Sequence, residues 1–451
     1  EKFVVDKTNP EIKAVYNTHV KTWKKVLNLI TFGYYTYNPD LKVILTATDE
    51  TSGVDDIKWV YQKEADASDI NIEELEETAT FTTSKDDKGK ATAEFTLTAT
   101  EAEQFRGSLA YTVTDKAKRS TTETEDDIRI VDNIAPVVDI SYAPIDGAKL
   151  QSIVEKDTDS KITRATVKKE DVDDNTRFIY DGAVKATIKV KESNFFEKDA
   201  SVTLTRDGKE LYSGSVTEAK SEEGSYSISE WKKAGQDTVS CEITFEKDGD
   251  YQLNMNYSDS SDNAMKWTSD EYENKNGTKE YNSNIITVDT TAPELKITYD
   301  NNDVITNNDE DYYQADRTAT IQVTDRNFRP REVDFKVEAK NIKGEVVKEY
   351  QNLNSWADWS LVEGTTDTWE AKVPFNVDAR YYVVFNYTDL AGHELIKNWN
   401  EKFVVDKTNP EIKAVYNTHV KTWKKILHAI TFGYYTYQAD LKVTLTAKDE
   451  T

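Results

Sequence analysis

The chain has 451 residues, is 37% hydrophobic and 11% aromatic, and carries a formal net charge of −26. That apolar content can bury several small cores and excludes a disordered chain, while so acidic a surface repels nucleic acid and anionic membrane. The lone Cys241 excludes an intrachain disulfide and a cysteine-based zinc site, and there is no run of about 18 apolar residues to form a transmembrane helix.

Residues 1–51 return at 401–451 with seven differences: Val26/Ile426, Asn28/His428, Leu29/Ala429, Asn38/Gln438, Pro39/Ala439, Ile44/Thr444 and Thr48/Lys448. A period of 400 residues is far longer than one supersecondary unit, so it reads as duplication of whole domains. The chain begins and ends inside this repeat and reads as an excerpt.

The first module opens at Val5–Asp6, closed by Pro10, and the same junction recurs at Val131–Asp132 with Pro136, Val288–Asp289 with Pro293, and Val405–Asp406 with Pro410. A strand ending in a turn-forming Asp, followed by a stiffening Pro, suits a linker between modules. Asp-to-Asp spacings of 126, 157 and 117 residues set the boundaries. They give modules at 1–131, 132–288 and 289–405, and a truncated start of a repeat at 406–451.

After the junction, the spacing of Val20, Trp23, Leu27 and Ile30 predicts an amphipathic helix, with Thr18 as N-cap and Gly33 at its C-terminal end. Lys21, Lys24 and Lys25 lie on its other face. Each module then has an early strand (41–47, 184–190, 319–323) running into a polar turn at Asp49, Glu192 or Asp325. A late strand (110–113, 251–257, 381–387) runs into Asp115, Asp259 or Asp389. The fold class is all-β: tandem Ig-like β-sandwiches in an elongated rod, with a short helix near the start of the first and fourth modules. The module at 132–288 carries a charged insert at 145–176. Residues 406–451 hold too few elements to close a sandwich.

The junction motifs, together with Arg317-Thr-Ala-Thr-Ile, Asp325-Arg-Asn-Phe328 and Tyr387-Thr-Asp-Leu-Ala-Gly392, make the chain similar to bacterial immunoglobulin-like tandem-repeat domains of Gram-positive (Firmicutes) cell-surface proteins. The resemblance covers essentially the whole chain. It implies stalk or adhesin modules on the bacterial surface or secreted, and, by analogy, binding of host immunoglobulin as a superantigen, or of mucin. The module at 132–288 departs from it, with Ser-Asp-Asn where an Ala-Gly turn is usual.

Two sets of residues are candidates for binding. Trp23, Lys24, Lys25, Tyr34, Tyr35 and Tyr37, with Trp423 in the second copy, combine a basic face with aromatics and suit a host protein partner. Trp356 and Trp359 suit an aromatic contact with sugar or protein, against the alternative of packing inside the sandwich. Acidic clusters at Asp49/Glu50 with Asp55/Asp56, at Asp171/Asp173/Asp174 and at Asp309/Glu310/Asp311 lack EF-hand spacing. They read as solvated loops, with structural calcium at a junction as the other reading and no assigned metal ligand or cofactor. No His-Glu-x-x-His, Gly-x-Ser-x-Gly or phosphate-binding loop occurs, so no catalytic residue is assigned. The expectation is a non-enzymatic, monomeric adhesin or spacer region without membrane insertion. The alternative is an accessory carbohydrate-binding region of a secreted carbohydrate-active enzyme.

Overall fold

The computed structural model describes residues 2–27, 30–65, 67, 70, 72–84, 89–100, 103–155, 167–273, 275–341, 343–350, 358–417, 421–422, 435–436 and 440–449. Within these, every regular element longer than three residues is a strand, and the chain is an all-β series of sandwiches. One compact unit holds the first two sandwiches and ends at Thr290; the other holds the third sandwich and the strands that follow it.

In the first sandwich the strands are β1 (Glu11–Tyr16), β2 (Lys21–Leu27), β3 (Ile30–Tyr37), β4 (Asp40–Thr48), β5 (Val54–Lys63), β6 (Glu74–Thr78), β7 (Phe81–Thr83), β8 (Lys90–Thr98), β9 (Phe105–Asp115), β10 (Ser120–Thr124) and β11 (Ile128–Val131). One sheet has the order β1-β4-β8-β7; the other runs β2-β3-β11-β9-β5-β6, with β10 also on β9. Burial alternates strictly along β4 and β9, as the period of two requires when one face meets the opposite sheet. Leu41, Val43, Leu45, Ile57, Leu109 and Val113 form that core, each fully buried aliphatic side chain contributing about 1.5–3 kcal/mol. Trp59 stacks on Phe95 with ring centres 4.2 Å apart.

The helix expected near residues 18–33 is not formed. Residues 21–27 and 30–37 are an antiparallel hairpin, Lys21 facing Thr36 and Leu27 facing Ile30. Spacings of three and four residues fit a helix, but Thr, Val, Ile, Phe and Tyr dominate the segment and favour a pleated conformation. Tertiary pairing completes the choice, since β3 runs parallel to β11 from Tyr34/Ile128 to Tyr37/Val131. Gly33 is a strand residue rather than a helix terminator; a Cβ there would sit 2.6 Å from Asp127 Oδ1. In the second copy Lys421–Thr422 pairs with Tyr435–Thr436 in the same register; residues 423–434 of the predicted second helix lie outside the described residues.

The same hairpin recurs in the other sandwiches. In the second, Leu150–Glu155 pairs with Thr176–Tyr180, which runs parallel to Ile285–Val288. The charged insert therefore contributes a strand to the sheet. In the third, Val304–Asn307 pairs with Glu310–Tyr313, parallel to Trp399–Val405. The second core is built on Ile140, Ile188, Ile243, Phe245, Leu253 and Met255 with the buried Cys241. The third is built on Ile321, Val373, Phe375, Val383 and Phe385. Beyond Asp406, Glu411–Tyr416 pairs with Val443–Lys448 as β1 pairs with β4.

Candidate functional site

The β2–β3 hairpin places Trp23 opposite Tyr34, Lys24 opposite Gly33 and Lys25 opposite Phe32; their side chains, like Trp423, lie outside the described residues. The tyrosines of β3 do not form the exposed patch expected for them. Tyr34 is buried and donates to Glu64 Oε1 at 2.6 Å; burial, then Glu64, pushes its phenol up to about 12. Tyr37 is buried beneath Arg129, whose Nη1 donates to its hydroxyl at 3.2 Å. Tyr35 is half-buried, its ring 4.5 Å from the same guanidinium. A strand alternates its side chains between two faces; here Tyr35 and Tyr37 meet Arg129 on one face, and Tyr34 and Thr36 meet Glu64 and the second sandwich on the other.

Trp359 is likewise internal, with its ring 4.9 Å from Phe328 and 6.3 Å from Phe385. It packs within the third sandwich and offers no sugar platform. Trp356 lies outside the described residues.

The hairpin's open end meets the second sandwich. Thr36 Oγ1 donates to the Ser260 carbonyl at 2.6 Å, and Asn38 Nδ2 donates to the Ser261 carbonyl at 3.0 Å and to Asn263 Oδ1 at 2.6 Å. Lys21 Nζ donates to the Asp259 carbonyl at 2.9 Å and lies 3.1 Å from Asp262 and 3.7 Å from Asp199. Tyr34 meets Phe196 edge to face at 6.2 Å.

Beside this joint lies a group of acids that sequence reasoning placed separately but did not bring together. One oxygen from each of Asp132, Glu192 and Asp259 lies within 4.8 Å of the other two, and all three residues are buried. Backbone amides hold them: Ile134 N on Asp132, Asn194 N on Glu192, and Ser261 N and Asn263 N on Asp259. Asn194 Nδ2 donates to Asp132 Oδ2 at 2.8 Å. Burial, opposed by hydrogen bonds from Asn263 and assisted by the Asp132 charge, pushes Asp259 up to about 7.

The first sandwich repeats the arrangement with Asp6, Asp49 and Asp115, again within 4.8 Å. Ser52 N and Gly53 N each donate to Asp49 Oδ1 at 2.7 Å, and Arg119 N to Asp115 Oδ1 at 2.9 Å. The Ser52 hydroxyl and then the Thr8 amide hold the Asp6 carboxyl down at about 2. The shared signal was positional: in each triad the members are the junction Asp, the acid after the early strand and the acid ending the late strand. Of the other acidic clusters, Asp55 pairs with Lys118, Asp174 with Lys275 and Glu310 with Arg380.

No family model and no curated protein matches the chain. Among solved structures it is similar to FdeC, a broadly conserved Escherichia coli adhesin eliciting protection against urinary tract infections, at 10% identity over 90% of this chain and 99% of that one, with a TM-score of 0.27. It is also similar to a tetra-tandem repeat in the extending region of a large adhesion protein, at 13% identity over 85% and 76% of the two chains and a TM-score of 0.33. A 1.5-MDa bacterial ice-binding adhesin follows, at 13% identity over 81% and 91% and a TM-score of 0.22.

Proposed function

We propose that the chain is a non-enzymatic adhesion region of a Gram-positive cell-surface protein, whose modules engage a secreted host protein such as immunoglobulin or mucin. The observation that carries this reading is the return of the 51-residue opening segment after 400 residues with only seven differences. A weak contact repeated along a chain gains avidity without any new contact. The third sandwich weighs against the carbohydrate alternative, since Trp359 is spent on packing rather than on a sugar-stacking surface. Among the described residues no helix is long and apolar enough to cross a membrane.

The full chain, immobilised, is exposed to purified immunoglobulin, to mucin and to a glycan array. Saturable capture of either protein, with silent arrays, is the expected result. Glycan binding without protein capture overturns the reading in favour of a carbohydrate-binding accessory region, and silence in all three leaves a spacer.

A further inference from the structure

We propose that each of the first two sandwiches binds one Ca²⁺ at its acidic triad, Asp6–Asp49–Asp115 in the first and Asp132–Glu192–Asp259 in the second. Ca²⁺ takes oxygen ligands at about 2.3–2.6 Å, so two ligands on opposite sides of the ion stand about 4.6–5.2 Å apart. Three carboxylates whose oxygens all lie within 4.8 Å of one another match that span.

Proximity of acids alone would be an ordinary acidic patch, but these sites are internal. Asp115 is 0% and Asp49 4% exposed, and in each the Oδ2 atom is out of solvent without a hydrogen-bond partner among the described residues. The other oxygen of each is held by backbone amides, which fixes the side chain with Oδ2 free to ligate. No Lys or Arg among the described residues forms an ion pair with Asp6, Asp49 or Asp115. Like charges buried this way need a counter-charge.

The second triad adds a neutral ligand. Asn194 is 0% exposed, its Nδ2 is fixed on Asp132, and its Oδ1 has no partner among the described residues. A carboxamide oxygen beside three carboxylates is a donor set for a hard cation, and all-oxygen donors disfavour softer metals. Mg²⁺ is disfavoured too, because it retains most of its water and demands near-ideal octahedral geometry. The recurrence is independent support: sandwiches of unlike length bring the same three topological positions together. In both, the ion would tie the junction Asp to the ends of two strands.

The test uses the full chain, stripped with a chelator and titrated with Ca²⁺ by calorimetry and equilibrium dialysis in about 0.15 M salt. Saturable binding in the range of about 0.1–1 mM, usual for extracellular modules, is expected. Asp115→Asn and Asp259→Asn should each lower bound Ca²⁺ by one ion per chain, and the double variant by two. Asp49→Asn should raise the melting temperature of the stripped protein, by relieving like-charge repulsion, yet lower it relative to wild type in 10 mM (roughly saturating) Ca²⁺. A merely structural aspartate would shift both in the same direction. Should a variant fail to fold, wild-type hydrogen exchange decides, with Ca²⁺-dependent protection expected around 49–53, 115–119 and 192–194. Absent saturable binding, stoichiometry unchanged in the variants, no Ca²⁺-dependent protection, or tighter binding of Mg²⁺ would each overturn the proposal.

Discussion

The Arg317 guanidinium carbon lies 3.4 Å from the centre of the Tyr299 ring. It is also 4.0 Å from the Tyr313 ring and 4.6 Å from Phe403. Nη1 donates to Glu401 Oε1 at 2.9 Å, and Tyr299 donates to the other oxygen of the same carboxylate. A planar, weakly hydrated cation suits such an aromatic cage, and a lysine ammonium does not. Arg317→Met leaves Glu401 without its cation and should destabilise the third sandwich by about 3 kcal/mol. Arg317→Lys should recover less than half of that. Urea unfolding followed by hydrogen exchange in peptides from 294–405 measures both; a loss under about 1 kcal/mol for Met would show that the pair contributes no more than a surface bridge.

Glu271 supplies a pH dependence in the second sandwich. Its carboxylate is buried, accepts from Tyr281, Ser269 and the Asn284 amide, and is pushed by desolvation up to about 7 from 4.5. Facing it are Tyr142, Tyr180, Tyr272, Tyr281 and Asp270, none of them cationic; Lys169 acts on Asp270. Because the folded pKa lies above the unfolded one, the folded state holds more protons between about 4.5 and 7. Stability therefore falls as pH rises through that window and levels off above it. The full effect is roughly 3 kcal/mol, and Glu271→Gln should abolish it. Cys241 is buried in the same core, so thiol pulse-labelling at a common pH after urea equilibration at pH ~4 and ~8 (bracketing the window) reads it out. Equal wild-type unfolding free energies at both pH values would remove the effect assigned to Glu271.

Much of the fold was legible because alternation survives in the sequence. The strands at 41–47, 184–190 and 319–323 fall within observed strands. The segment at 18–33 was misread because one apolar residue every three or four positions is cheap to match over sixteen residues. The strand it leads into pairs with β11 only at Tyr34–Tyr37, with residues about a hundred positions away. Tyr34 and Tyr37 looked like surface aromatics for the same reason, since Arg129 and Glu64 reach them only through the closed fold. Asp6, Asp49 and Asp115 were each visible as turn residues. Their convergence needed the ends of three separate segments to be brought to one pole of a sandwich, which local pattern does not encode.

The joint between the first two sandwiches should depend on Lys21. Its ammonium bonds one carbonyl and faces two carboxylates, Asp199 and Asp262, and remains partly exposed. Screening by solvent limits the charge pairs, so Lys21→Met should cost about 1 kcal/mol. Exchange at amides 34–38 and 258–263 should quicken several-fold, while that of the core strand 105–115 stays unchanged. Faster exchange throughout would point to global destabilisation, and no change to a joint held by Thr36 and Asn38 alone.

The two copies of Glu-Ile-Lys-Ala-Val-Tyr offer an internal control for packing. In the first sandwich Ile12 is 5% and Leu45 0% exposed, whereas Ile412 is 75% and Leu445 66% exposed on the two-stranded pair after Asp406. Among the described residues no second sheet faces this pair, and two strands alone bury too little to be stable, so their opening should need far less free energy than that of β1 and β4. Trypsin should therefore cut at Lys413 and Lys442 well before Lys13 and Lys42, although the flanking sequences nearly coincide. Peptide mapping over a digestion time course gives the two rates. A ratio near one would mean that the paired strands at 411–416 and 443–448 are covered in solution.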